Sequence, residues 1–260
     1  MIRRLSFLPL ALVATLSLVL AACASPPAAP ALTDPKEIVT KGVTSLADVK
    51  TFEFTTTFSG TVKAAQLGTF DLSSVKLTGA VDIANKTAKL SFDAPSVLGT
   101  KADVLVVGNA AYYKVAGALA MLTSGSADKY TKVDVPDPST NPDAAALQDP
   151  TQLVAKLSEA LAKLPVQPTK APDEKCGDAD CYHVTLAMTK DQLKALDPSA
   201  AATGDVTFDL FTRKQDYRPA KISISGTSPE LGTVGIVIEI RYDVAVSVAA
   251  PPADQVVTAP

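Results

Sequence analysis

Apolar residues alternate with polar ones along much of this 260-residue chain, and this period of two constrains its fold more than any other feature. In segment 234–242, Val, Ile, Ile, Ile and Tyr occupy every second position. Segments 52–58, 75–93, 101–114 and 206–224 show similar alternation. Because residues i and i+2 of a strand point to the same face, each segment predicts strands with one apolar face.

Most of these strands follow one another without a helical crossover, which predicts an antiparallel and strongly curved sheet. Asp-Pro followed by apolar residues at helical spacing predicts a first helix over 35–48. Further helical segments are expected at 115–123, 150–164 and 189–196, where they would cover the apolar face of the sheet. The predicted fold class is therefore α+β.

Two proline-containing stretches, 135–149 and 165–176, are predicted to be loops. No shift in composition divides the remaining chain, and no repeat of fixed period occurs in it. We therefore expect a single domain over residues 35–256.

The N-terminus has the pattern of a bacterial export signal. Arg3 and Arg4 precede an apolar run, which ends in Leu20-Ala21-Ala22-Cys23, a sequence similar to a lipobox. This pattern predicts removal of residues 1–22 and attachment of diacylglycerol and further acyl chains, such as palmitate, to Cys23. The alternatives are a plain signal peptide with an incidental cysteine, and a transmembrane helix, which is disfavoured because the run ends in small residues.

Residues 23–34 contain a proline- and alanine-rich stretch, which predicts an extended stalk after the anchor. Each buried CH₂ of an acyl chain contributes about 0.8 kcal/mol, so two or three chains would hold the protein at a membrane surface. We expect an exported protein anchored to the outer face of the bacterial cell membrane or to the periplasmic side of the envelope.

The other two cysteines, Cys176 and Cys181, have C-x₄-C spacing. In an exported chain this pair favours a disulfide. A zinc site would need more ligands, and His183 is the only histidine. A redox role is weaker still, because the motif is not C-x-x-C.

The composition offers little for catalysis or for nucleic-acid binding. The formal net charge is −3, and the chain lacks the common nucleophile-elbow, metalloprotease and phosphate-loop motifs. His183 lies in a strand-like segment, and Asp178 and Asp180 lie in a predicted turn, so structural roles are favoured for all three. We predict a non-enzyme without cofactor or metal.

Several features together resemble the LppX/LprAFG lipoproteins, which are relatives of the LolA-like fold. They are the lipobox cysteine, the stalk, the first helix with the Phe52-x-Phe54 strand after it, the Val-Leu-Val-Val-Gly-Asn-Ala-Ala-Tyr-Tyr-Lys hairpin at 104–114, and a last strand that continues into Ala-Pro-Pro-Ala-Asp at 250–254. The resemblance implies a half-open antiparallel barrel with helices on its concave face. It also implies binding of lipid or lipoglycan acyl chains and their transport across the envelope, with a membrane transporter as a further partner.

The resemblance also implies that apolar faces of strands and helices meet the lipid, although ordinary core packing is an alternative for each residue. A carrier should contain an apolar cavity above roughly 1,000 Å³, whereas a scaffold that binds a protein partner should have a filled core. An enzyme would need His183 within about 3 Å of a serine or aspartate at a cleft. The candidate lipid-binding residues are Phe54, Leu77, Val104, Val106, Leu119, Leu122, Leu153, Leu157 and Ile236.

Overall fold

The structure is a computed structural model, and it divides into two units, Met1–Leu32 and Thr33–Pro260. All elements given below belong to the second unit. The single-domain boundaries expected from the sequence stay a prediction. The described residues are 31–64, 68–117, 120, 128–135, 150–196, 204–228 and 232–258.

Within these ranges the chain forms three α-helices, two short 3₁₀-helices and thirteen strands. The helices are α1 (Pro35–Thr44), α2 (Pro150–Ala162) and α3 (Lys190–Leu196), and the 3₁₀-helices are Ser45–Asp48 and Ala253–Gln255. The strands are β1 (Thr51–Ala64), β2 (Gly68–Asp71), β3 (Lys76–Asp82), β4 (Thr87–Ala94), β5 (Thr100–Val107), β6 (Ala110–Ala116), β7 (Tyr130–Asp134), β8 (Thr169–Cys176), β9 (Ala179–Met188), β10 (Val206–Arg213), β11 (Pro219–Ser228), β12 (Gly232–Tyr242) and β13 (Val256–Thr258).

The strands form one large sheet in the order β13-β7-β6-β5-β4-β3-β1-β12-β11-β10-β9-β8, with β2 paired to the end of β1. Every neighbouring pair is antiparallel except β13 and β7, which are parallel. The sheet is strongly curved and does not close on itself, which confirms the predicted α+β fold class.

Gly60 marks the point where β1 changes partner. Up to Gly60 the strand pairs with β12, and from Thr61 it pairs with β2. Gly60 has a φ of +94°, and a Cβ there would lie 1.8 Å from the carbonyl oxygen of Thr233. Only glycine fits this close approach of two backbones, and the bend adds to the curvature of the sheet.

The register places apolar residues on one face of the sheet, which we call the apolar face. Residues directly opposite each other in an antiparallel pair share a face. Phe54 pairs with Ile240 and Gly79, and the same alternation continues in both directions across the sheet. Most of its large aliphatic and aromatic residues are half-buried, whereas Val184, Met188, Tyr182 and Thr56 of the same face are buried. Its large members include Phe54, Phe58, Leu77, Leu90, Phe92, Val104, Val106, Val184, Leu186, Phe208, Leu210, Ile222, Ile224, Ile236, Ile238 and Ile240.

The helices α1 and α2 cover one end of the apolar face. Helix α1 begins after Asp34, whose carboxylate accepts the backbone N–H of Lys36 at 2.9 Å. It packs on β9 and β10, with Ile38 fully buried, and α2 packs against α1. The predicted helices at 35–48, 150–164 and 189–196 are thus confirmed. In the described part of the chain no helix is long and apolar enough to cross a membrane.

The loop predicted over 165–176 is wrong for most of its length, because Thr169–Cys176 forms β8 at the edge of the sheet. An edge strand needs hydrogen bonds on one side only, so it tolerates proline and many charged side chains that hide the period of two. The pairing with β9 also shifts register between Ala171 and Glu174, around Pro172.

The helix predicted over 115–123 is wrong only at its start, where Val115 and Ala116 belong to β6. Ala120 is helical, and most of the rest of the segment lies outside the described residues. The predicted loop 135–149 also lies outside them, except Val135.

The predicted disulfide between Cys176 and Cys181 is present, with the two Cα atoms 6.0 Å apart. It joins the ends of β8 and β9 across the turn that contains Gly177. Cys181 is fully buried, so the disulfide ties the polar edge strand to the packed part of the sheet.

The contact between Phe54 and Gly79 gives a test of the register. A Cβ at Gly79 would lie 2.2 Å from Cε1 of the Phe54 ring. We expect Gly79→Val to lower the free energy of unfolding by about 1–3 kcal/mol, because the ring must leave its position. The measurement is urea denaturation, with Ala80→Val on the opposite face as control. Equal stability of the two variants would contradict the assigned register.

Candidate functional site

A cavity of about 750 Å³ lies between the helices and the apolar face. Its floor is formed by three neighbouring strands: Val184 and Leu186 come from β9, Phe208 and Leu210 from β10, and Ile222 from β11. All five belong to the apolar face, because the register pairs Val184 with Leu210 and Leu210 with Ile222. The alternation of these strands therefore builds the floor directly.

The opposite wall comes from α1, α2 and the segment that follows α2. Leu157 and Leu161 stand one turn apart on α2, and Val39 of α1, Leu164 and Val166 complete the apolar part. Leu157 is 36% exposed, so this wall does not seal the cavity from water. The arrangement is an open apolar groove that a ligand can enter.

Four polar side chains also line the cavity: Lys36, Thr40, Ser158 and Gln167. Among the described lining residues, Lys36 is the only charged one, and none carries a carboxylate, an imidazole or a thiol. The Ser158 hydroxyl donates to the carbonyl oxygen of Val154 at 2.8 Å, within α2. The lining can bind an apolar ligand, but it offers no nucleophile paired with a base.

A charged cluster lies beside the floor, where β8 meets β9. Lys170, the partner of Val184 in the register, is 2.5 Å from Asp173, and Lys214 is 2.7 Å from the same carboxylate. Burial raises the pKa of Asp173, but the hydrogen bonds from the two lysines outweigh it and the net direction is downward. Both lysines are therefore paired with one and the same carboxylate, and the three side chains together keep a net positive charge.

A second depression, of about 530 Å³, lies on the polar side of the sheet. It is lined by charged side chains that include Glu53, Lys89, Glu239 and Arg241. Arg241 forms an ion pair with Glu53. This depression suits polar groups or water, and it does not offer the continuous apolar surface that the first cavity has.

The nine predicted lipid-binding residues are only partly brought together. Leu157 lines the cavity, whereas Phe54 borders the second depression. Leu77, Val104, Val106 and Ile236 lie on the apolar face but not among the cavity lining, and Leu153 lies on α2 one turn before Leu157, also outside the lining. Leu119 and Leu122 lie outside the described residues. The lipid-binding role of all nine stays a prediction.

The floor of the cavity was missed as a site, although its strands were predicted. The alternation of Phe208, Leu210 and Ile222 indicates an apolar face, but it carries no signal for which strands lie beneath a helix.

The cavity, at about 750 Å³, is smaller than the roughly 1,000 Å³ expected above for a carrier of acyl chains.

His183 lies in a polar cluster on the other face of the sheet. Its Nε2 is 2.9 Å from Oδ1 of Asp209, and the Thr185 hydroxyl donates to the same oxygen at 2.7 Å. Its Nδ1 is 3.4 Å from Glu174 of the edge strand, and its ring stacks on Phe211 with the centroids 4.2 Å apart. The cluster thus connects β8, β9 and β10.

His183 and Asp209 are as close as the enzyme hypothesis requires, but they do not lie at a cleft. None of the cluster residues lines either described cavity. The Thr185 hydroxyl donates to Asp209 at 2.7 Å and lies 3.4 Å from Nε2 of His183, so the imidazole and the hydroxyl share one carboxylate oxygen. Among the described residues, no group of three or more His, Cys, Asp or Glu side chains could hold a metal ion.

No protein-family model matches the chain, and no curated protein sequence matches it. Among solved structures, LprF from Mycobacterium bovis is 12% identical with a TM-score of 0.51, and the match covers 84% of this chain and 96% of that one. The chain has the fold of LprF. The resemblance to the LppX/LprAFG type is thereby confirmed at the level of the fold.

Two further structures match less closely. Lipoprotein LppX from Mycobacterium tuberculosis is 13% identical with a TM-score of 0.49, over 84% of this chain and 100% of that one. MucB in complex with MucA(peri) is 10% identical with a TM-score of 0.37, over 85% and 58% of the two chains. Because both TM-scores are below 0.5, we draw no conclusion from them.

Removal of the His183 ring distinguishes a structural role from a functional one. We expect His183→Ala to lower the free energy of unfolding by about 1–3 kcal/mol, because it removes the stacking on Phe211 and a hydrogen bond to Asp209. Binding of a fluorescent naphthylamine to the cavity should not change. Asp178→Ala, at an exposed turn, is the control in both urea denaturation and the fluorescence titration. Loss of probe binding by a folded His183→Ala chain would contradict the structural role.

Proposed function

We propose that this chain is an exported lipoprotein that binds an acyl lipid in the cavity and carries it across the cell envelope. The observation that supports this role most directly is the apolar cavity, in which one charged side chain accompanies a floor and a wall of aliphatic and aromatic residues. A ligand that places its hydrocarbon there leaves water, which contributes about 0.8 kcal/mol per CH₂. Transport of this kind needs no covalent step.

The half-buried apolar face supports the same role. Residues such as Leu90 and Val104 extend the hydrocarbon surface beyond the cavity floor, from β9–β11 toward β4 and β5. An apolar surface of this extent is typical of a binding surface, because a scaffold with a filled core would bury it. The fold shared with LprF also agrees with the family resemblance.

The proposed location is the cell envelope. Removal of residues 1–22 would leave Cys23 as the lipid-modified first residue, followed by the stalk to residue 34 and the lipid-binding domain over 35–256. The Cys176–Cys181 disulfide agrees with export, since such bonds persist in oxidising compartments. The anchor would hold the domain at the membrane from which it loads lipid.

Native mass spectrometry with organic extraction tests the proposal. The Cys23→Ala chain cannot form the lipid thioether, so any lipid found with it is bound noncovalently. We expect acyl lipid at close to one per chain. Leu157→Trp should release it by filling the cavity, whereas Ala155→Trp, on the exposed side of α2, should retain it.

A folded, monodisperse chain that carries no lipid and takes up none when fatty acids or phospholipids are added would overturn the carrier role. That result would favour the alternative role drawn from the sequence, a scaffold that binds a protein partner. Equal lipid content in the two tryptophan variants would instead place the lipid outside this cavity.

A further inference from the structure

We propose that the cavity selects lipids with an anionic head group, and that Lys36 pairs with that head group. This inference rests on the proposed lipid-binding function and narrows its ligand class. It follows from two observations on the described residues: the distribution of polar side chains along the cavity lining, and the ion pairs of the neighbouring lysines.

The polar and apolar parts of the lining differ in their access to water. Lys36, Thr40 and Gln167 are exposed, whereas Val184 is buried and Leu210 is half-buried. Lys36 and Thr40 lie one turn apart on α1, so their side chains share a face of that helix. A bound amphiphile would match this lining if its hydrocarbon chain contacted the apolar strand residues and its head group lay beside the polar side chains of α1.

Lys36 is the lysine that lines the cavity, whereas Lys170 and Lys214 lie outside the lining and share Asp173. On the same helix, Lys41 pairs with Glu37 at 3.2 Å. Across the cavity wall, Lys163 pairs with Glu159 at 2.6 Å. No ion pair joins the Lys36 ammonium to a carboxylate of the described residues.

The nearest acidic residue in sequence, Asp34, is used by the helix. Its carboxylate accepts the backbone N–H of Lys36 as the cap of α1. The Lys36 side chain can lay its methylene groups along the apolar lining and present its ammonium to a carboxylate or phosphate. A head group of this charge also explains why a single lysine lies in a lining that has no acidic residue.

The test compares ligands that differ in one property at a time. The full chain with Cys23→Ala is titrated at about pH 8, where the ligand carboxylate is ionised. The probes are hexadecanoate, hexadecanol and a single-chain lysophosphatidylglycerol, each measured by displacement of a fluorescent naphthylamine. We expect hexadecanoate and the lysophospholipid to bind at one per chain and hexadecanol to bind more weakly.

Substitution of the lysine isolates the charge. We expect Lys36→Met to weaken binding of both anionic probes about 3- to 10-fold and to leave hexadecanol unchanged, because the pair is partly exposed. Lys41→Met, on the same helix but outside the cavity, is the matched control and should bind all probes like the parent chain. If the carboxylate binds and the lysophosphate does not, the head group is a carboxylate, and the opposite result assigns a phosphate.

The outcomes separate this inference from the proposed function. Equal binding of hexadecanol and hexadecanoate by the parent chain would overturn the inference while lipid binding stands. Failure of every probe to bind would overturn both. The comparison of probes on the parent chain decides the matter even if Lys36→Met does not fold.

Discussion

The fold depends on the antiparallel register of the strands. Phe54 lies opposite Ile240, Leu90 opposite Val104, and Leu210 opposite Val184. A slip of one residue in any of these pairs would turn the apolar side chains of that strand to the polar side. In every strand pair between β9 and β6 in the sheet order, apolar residues lie opposite apolar residues. The sheet therefore has one continuous apolar face, on which the helices pack and which forms the floor of the cavity.

The helices of the described residues cover only part of that face. Helices α1 and α2 lie over β9 and β10, where Ile38, Tyr182 and Val184 are buried, while the apolar residues of β3–β5 stay half-buried. Each Å² of apolar surface left in contact with water represents about 25 cal/mol that a ligand can recover on binding. The uncovered apolar area therefore contributes nothing to folding stability, but it can contribute free energy when a hydrophobic partner binds.

Much of the fold could be predicted, since most strands and the helices at 35–48 and 150–164 follow from periodicity alone. The edge strand β8 could not, because pairing on one side removes the selection for alternation. The candidate binding residues show the same limit. Leu77, Val104 and Ile236 lie on the predicted face, but the cavity lies beneath the helices, over β9–β11. The pairing of His183 with Asp209, 26 residues away, also has no local signal.

The sequence by itself determined which side chains share a face and where α1 begins, because these are local properties of the backbone and of the Asp34 cap. Only the tertiary structure decided which faces meet. Strand β12 lies beside β1, although Ile240 follows its partner Phe54 by 186 positions in the sequence, and α1 carries Lys36 to a floor made by β9–β11. Such contacts form when the free energy gained by burying apolar area across the whole chain exceeds the entropy cost of closing the loops between the segments. No single segment determines that difference.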